Sequence, residues 1–243
     1  MFLELKDDNY FKQYYFDILK YKLAGSSLNL EKMNSNISSI GDALNVVNQL
    51  SAINYIFNEN IDYDHMEFMR KVCEIVKLVS GGEISDFRKT KADVYGSKLT
   101  RSKPNMIRND LYYLIDEYNY KLGLAKRANE LFEVEAYFHM RFLHIHPFED
   151  ANGRTARILL TYNLSKHNLA PCIITEENKK EYCNLIENSD VLSLADFFYE
   201  LSIKELNEMV AVYKNLDDRG LLSGNKMTKE QEERYKKKIR YMK

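Results

Sequence analysis

Residues His146 to Arg157 read HPFEDANGRTAR, which places an imidazole, a carboxylate, a tight turn and two guanidiniums within twelve positions. Those residue types suit a polyphosphate. Its oxygens are stabilised by backbone N–H groups at a helix N-terminus, by a divalent cation and by arginine forks. Asp150, the turn Ala151-Asn152-Gly153, Arg154 and Arg157 supply those parts in that order. His146, just before the turn, is a base that titrates near neutral pH and would face the bound phosphates. Pro147 fixes the backbone behind the imidazole, and Phe148 is an apolar anchor for the loop. On a helix beginning near Gly153, Arg154 and Arg157 would share one face beside the same N-terminus. The plainer alternative is a polar helix start, capped by Asp150 or Asn152, with both arginines in solvent. It fits any one of these residues and fits the whole set less well.

The elements that must hold this loop read as helices. Before it, Leu131, Val134, Phe138, Phe142 and Ile145 fall at spacings of three and four, one apolar stripe that ends beside the turn. After it, Ile158, Leu159, Leu160, Tyr162 and Leu164 continue an apolar helix that must stop before Pro171. A further long helix is expected from Ser193, its cap, to about Leu216, through Leu194, Phe197, Phe198, Leu201, Met209, Val210 and Tyr213. The chain has 243 residues with only three prolines and nine glycines, and no linker-like stretch. One main domain, mostly α-helical, follows.

Several function classes lose ground on composition. Cys73, Cys172 and Cys183 are an odd number without close pairing, so buried thiols are expected rather than a disulfide framework or a cysteine zinc site. His139, His144 and His146 cluster in sequence but lack the spacing of a metallohydrolase. The N-terminus carries scattered charges, with neither the apolar core of a signal peptide nor a membrane span later on. A reducing cytoplasm is the expected location. Lys226 to Lys243 holds eight basic and three acidic residues, read as a solvated tail, because the formal net charge is −1 and no nucleic-acid motif is complete.

The twelve-residue run resembles the signature of the Fic family, HPFx(D/E)GNGRxxR, at every defined position but one. Ala151 stands where that family has glycine, a departure that matters only if the position needs positive φ. The resemblance extends from about residue 25 to about residue 205. It implies a mostly α Fic fold, a helical bundle around the signature loop and helix with a small β-hairpin flap. It also implies AMP transfer from ATP to a hydroxyl of a target protein. By the same resemblance, His146 is the base and Asp150 holds Mg2+. Asn152 and the backbone around Ala151 and Gly153 form the anion hole, Arg154 supports the β-phosphate and Arg157 receives the γ-phosphate. Phe87-Arg88 through Tyr95-Gly96-Ser97 is similar to the flap, which would register a target strand by backbone pairing. Tyr182 falls where family members place an aromatic near the adenine, and His139 where they have a second-shell or structural histidine.

Ser27 and Glu31 in Ser26-Ser27-Leu28-Asn29-Leu30-Glu31 resemble the family's upstream inhibitory motif, with Lys32 departing from it. That resemblance implies that Glu31 pairs with Arg157 and excludes the γ-phosphate. The expected organisation is an N-terminal helical segment over 1–24, the Fic domain over 25–205 and a charged helical tail over 206–243. Expected partners are ATP and a target protein, the chain itself included, without a membrane or nucleic acid; self-association is in question because oligomerisation can govern the brake in this family. Two alternatives stand beside it: a Fic-fold enzyme with other transfer chemistry, namely removal of AMP, another nucleotide or phosphate transfer, and a regulatory ATP binder without turnover. Secretion into a host cell leaves no trace in such a sequence.

Overall fold

The computed structural model describes residues 9–31, 40–92, 97 and 99–222. Among them run eight α-helices: α1 (Asn9–Glu31), α2 (Ile40–Asn58), α3 (His65–Val79), α4 (Ile107–Leu124), α5 (Ala128–Ile145), α6 (Asn152–Lys166), α7 (Lys179–Glu187) and α8 (Val191–Asp218). Short 3-10 turns precede α4 and α7.

The stripe expected on α5 is buried along Val134, Phe138, Phe142 and Ile145. This face meets α4 and α6, and α5 also packs along α8. Helix α6 goes further, with Thr155, Ala156, Ile158, Leu159, Leu160, Thr161, Tyr162, Asn163 and Leu164 all buried. A helix covered on nearly every side sits at the centre of its fold and must satisfy its polar groups internally. Asn163 does so by donating to Glu135 at 2.8 Å and accepting from Tyr63 at 2.5 Å, while the Tyr118 hydroxyl donates to Glu135 at 2.7 Å. Burial first, and the Glu135 charge second, hold both tyrosines well above the ordinary phenol range.

Helix α1 crosses this core with Phe11, Tyr15, Leu19 and Leu23 at four-residue spacing, all buried. Each such side chain contributes roughly 1.5–3 kcal/mol by leaving water. The helix is also tied down by charge. Lys22 meets Glu205 at 2.8 Å and Glu208 at 2.5 Å, and the Tyr15 hydroxyl donates to Glu205. Helix α1 runs unbroken past residue 25, and α8 runs past residue 205.

Three details differ from expectation. Helix α8 begins at Val191 because Asp190 caps it, its carboxylate accepting from the Ser193 N–H at 3.1 Å. Ser193 is therefore inside the first turn. Of the three thiols only Cys172 is buried, Cys73 being intermediate and Cys183 exposed on α7. No strand occurs among the described residues, so the β-hairpin flap is not formed there. Tyr95 and Gly96 lie outside them, as does the charged tail from residue 223. The described start of that segment bonds to the signature loop: Arg88 N–H donates to Pro147 O at 2.9 Å, and the Thr90 hydroxyl donates to Glu149 at 2.8 Å. No helix among the described residues is long and apolar enough to cross a membrane.

Candidate functional site

Residues 146–151 join α5 to α6, and a left-handed residue stands at each end. His146 has φ 52 and ψ 62, and Ala151 has φ 63 and ψ 11. Neither is glycine, so each conformation costs about 1–2 kcal/mol that the surroundings must offset. Phe148, fully buried, anchors the loop against Phe87 at 5.5 Å and Phe142 at 6.5 Å between ring centroids. Asn152 then closes it, accepting from the Phe148 N–H at 3.0 Å and donating to the Phe148 carbonyl at 2.8 Å.

That bracing corrects two expectations. The Asn152 amide is committed to the loop and only 2% of the residue is exposed, so its contribution to an anion hole is its backbone N–H. The N-cap of α6 is Ala151, which has no side-chain cap bond, rather than Asp150 or Asn152. The first backbone bond of the helix runs from Thr155 N–H to Ala151 O at 2.9 Å. The N–H groups of Asn152, Gly153 and Arg154 therefore lie at the positive end of α6, ahead of its ladder.

The two arginines do not project together. Three residues on a helix turn through about 300°, which leaves neighbouring side chains some 60° apart and able to diverge. Arg154 turns inward and is 7% exposed, donating to Asp150 at 3.2 Å and to the Val79 carbonyl at the C-terminus of α3 at 3.4 Å. Arg157 folds back over the start of its own helix. A Cβ on Gly153 would lie 3.0 Å from its Nη1, so the glycine is what lets the guanidinium approach the backbone there.

Arg157 also reaches α1, donating from Nε to the Ser27 hydroxyl at 2.8 Å. Ser27, expected to belong to an inhibitory segment, is buried at this contact. Glu31 is the last residue of α1, and its side chain lies outside the described residues. Tyr182 of α7 is buried, and its hydroxyl shares a 2.6 Å hydrogen bond with His139 Nε2, so its ring belongs to the core. The other His139 nitrogen meets Ala156 O at 3.2 Å. Burial pushes His139 down to about 3, helped by the charge of Arg157, and pushes Tyr182 up to about 12.

His146 is half-buried. Loss of solvent is the largest cause of its depression to about 4, followed by the nearby charge of Arg101; Arg88 adds to it, while the Leu143 carbonyl and Asp150 oppose it. The imidazole is neutral at pH 7. Asp150 has a side chain 79% exposed at the loop tip. Ser97 Oγ accepts from Arg101 Nη2 at 2.8 Å and from the Leu99 N–H at 3.2 Å. Sequence reasoning placed Arg88 only in a flap-like stretch and gave no role to Arg101 or Glu149, each of which has a partner more than forty residues away.

A neutral imidazole, an N–H-rich helix start and a guanidinium laid across it on one braced loop can bind a phosphate chain beside a proton acceptor. Residues 62–164 match the model of the Fic/DOC family. Over that stretch the chain is similar to the Fic/DOC family. It is 30% identical over 149 residues to the protein adenylyltransferase Fic of Drosophila grimshawi, an alignment covering 59% of this chain and 29% of that protein. The chain thus matches under a third of the length of this curated relative. The Fic fold extends beyond the matched segment: a Fic-domain signaling protein from Bacteroides thetaiotaomicron superposes with TM-score 0.76 at 18% identity, over 88% of this chain and 95% of that one. The VirB-translocated effector protein BepC of Bartonella tribocorum, solved with bound AMPPNP, superposes with TM-score 0.54 at 17% identity, over 69% and 88% of the two chains.

Proposed function

We propose that the chain is a protein adenylyltransferase that moves AMP from ATP to a serine, threonine or tyrosine hydroxyl of a target protein. The hydroxyl oxygen attacks the α-phosphorus and the bond to the α,β-bridging oxygen breaks. Pyrophosphate leaves with the electron pair, and His146 accepts the hydroxyl proton. The observation that carries this reading is the braced loop, with neutral His146 at one end and Arg157 laid over Gly153 at the other. Relatives named protein adenylyltransferase, and the AMPPNP held by BepC, support it.

In this reading the N–H groups of Asn152 and Gly153 hold the α- and β-phosphates, and Arg157 receives the γ-phosphate. Arg154, from its buried seat, orients the Asp150 carboxylate and adds positive charge on the β-phosphate side. Asp150 fits Mg2+, an ion that typically takes one or two carboxylates and completes its shell with water and phosphate oxygens. When bound, Mg2+ supplies charge neutralisation on the phosphates. The depressed base is part of the design: His146 stays unprotonated before binding, and the incoming negative charge raises its proton affinity where the hydroxyl proton must go.

The Ser27 contact supports the finer reading that α1 restrains Arg157 and that Glu31 competes with the γ-phosphate for it. The same guanidinium cannot serve both anions. ATP, and a target that includes the chain itself, are the proposed partners.

Replacing His146 with alanine tests the assignment. Calorimetry is expected to give an ATP–Mg affinity within about threefold of wild type, while transfer of label from α-labelled ATP falls by at least 100-fold, at the low end of general-base contributions. Labelled protein accumulating at the wild-type rate would remove His146 from the mechanism. Mass spectrometry of the modified residue separates AMP from other nucleotides or phosphate.

A further inference from the structure

Arg88 is 2% exposed, and its guanidinium meets four backbone carbonyls. Nε donates to His146 O at 2.6 Å, Nη1 to Thr90 O at 2.7 Å, and Nη2 to Ser102 O at 2.5 Å and Ile145 O at 3.2 Å. Its own N–H donates to Pro147 O at 2.9 Å. Burial lowers its pKa, opposed by the more distant charge of Glu149. A buried cation held by carbonyls must gain from geometry what it lacks in direct ion pairing.

The geometry is concentrated on one place. Ile145 and His146 supply the last carbonyls of α5, groups that have no acceptor role left in the helix ladder and carry the negative end of its dipole. Glycine ordinarily takes the left-handed position after a helix. Here a histidine takes it, with φ 52, and its carbonyl is the one Arg88 grips through Nε.

We propose that Arg88 is the positioning residue of the reaction: by clamping the carbonyls of Ile145 and His146 with its guanidinium it holds His146 left-handed and fixes where the imidazole points. The same fork ties Thr90 and Ser102, two points on the segment between α3 and α4, to that turn. A lysine cannot do this, because an ammonium offers point-like donors without the planar fork. The inference rests on the proposed role of His146, and its test includes readouts that need no turnover.

Arg88→Lys and Arg88→Gln are compared with wild type at a temperature where circular dichroism shows them folded. The expected result is a fall in kcat of at least about thirtyfold in both, with KM for ATP within about threefold. The His146 Cα chemical shift should leave the left-handed range in both variants, and the lysine should give no rescue although it keeps the charge. Wild-type kcat in folded Arg88→Lys, or an unchanged His146 shift, would overturn the proposal. If neither variant folds, the wild-type Arg88 Nε–H decides. Slow solvent exchange and a scalar coupling across the hydrogen bond to the His146 carbonyl support the clamp, and rapid exchange refutes it. The shift and exchange results stand even if no AMP transfer is found, which separates failure here from failure of the functional reading.

Discussion

Ala151 adopts φ 63 with 2% of its surface exposed, in the position where the family signature has glycine. Its strain of about 1–2 kcal/mol is set against two gains over glycine. A buried methyl adds up to about 0.8 kcal/mol, and a stiffer unfolded chain adds about 0.4–1 kcal/mol. The terms nearly cancel, which explains why alanine is tolerated. Ala151→Gly should therefore change stability by less than about 1 kcal/mol, whereas Ala151→Val, β-branched at positive φ, should lose more than about 2 kcal/mol. Denaturant unfolding measures both. The signature's residue types and order were legible in the sequence, since they are local. The division of labour was not, because helical spacing says nothing of which arginine finds the Val79 carbonyl and which finds Ser27. His146 makes a second prediction. As the proposed base it acts only when unprotonated, and burial lowers its pKa to about 4, so kcat/KM should stay level from pH 8 down to pH 6. A half-maximal point near an ordinary histidine value of about 6.5 would mean that the imidazole is solvated.

At the scale of elements, the proposed restraint on Arg157 rests on α1. It reaches Arg157 through Ser27 and is fixed to α8 by the Lys22, Tyr15 and Glu205 cluster, in which the Glu205 side chain is 4% exposed and that of Lys22 29%. Glu205→Gln should weaken the docking of α1 by about 2 kcal/mol, less than a fully buried pair because Lys22 is partly solvated. If α1 restrains Arg157, the same change raises basal AMP transfer several-fold, read from α-labelled ATP. Reduced stability with unchanged transfer would confine the cluster to a structural role. Helix α5 was legible from its three-and-four spacing, as was the apolar run of α6. The start of α8 was misplaced because Asp190 and Ser193 are both good caps, and only the backbone path shows which one accepts the N–H.

At the scale of the whole molecule, two neutral imidazoles are built into the fold. His139 is fully enclosed by α5, α6 and α7 and depressed to about 3, and His146 to about 4. In the unfolded chain both titrate near 6.5. Below that pH the unfolded state binds more protons, so stability falls as pH drops from 6.5 toward 4. His139 alone accounts for roughly 2–3 kcal/mol of that loss. His139→Gln should flatten the acid limb of a urea-midpoint profile, and an unchanged limb would assign the loss to carboxylates. The mostly helical architecture was legible from few prolines and glycines and from long periodicities. What brings Arg88, Thr90 and Arg101 to the loop and the end of α5 was not, because those partners are joined through tertiary contacts that leave no local period.

The central claim is that the α-phosphorus of ATP is the atom attacked. Wild-type and Glu31→Gly protein incubated in parallel with α-labelled and γ-labelled ATP, and separated on a denaturing gel, tests it most directly. The account predicts protein-bound label from the α position only, stronger in Glu31→Gly, and no label in His146→Ala. Label retained from the γ position, or none from either position even in Glu31→Gly, would contradict it.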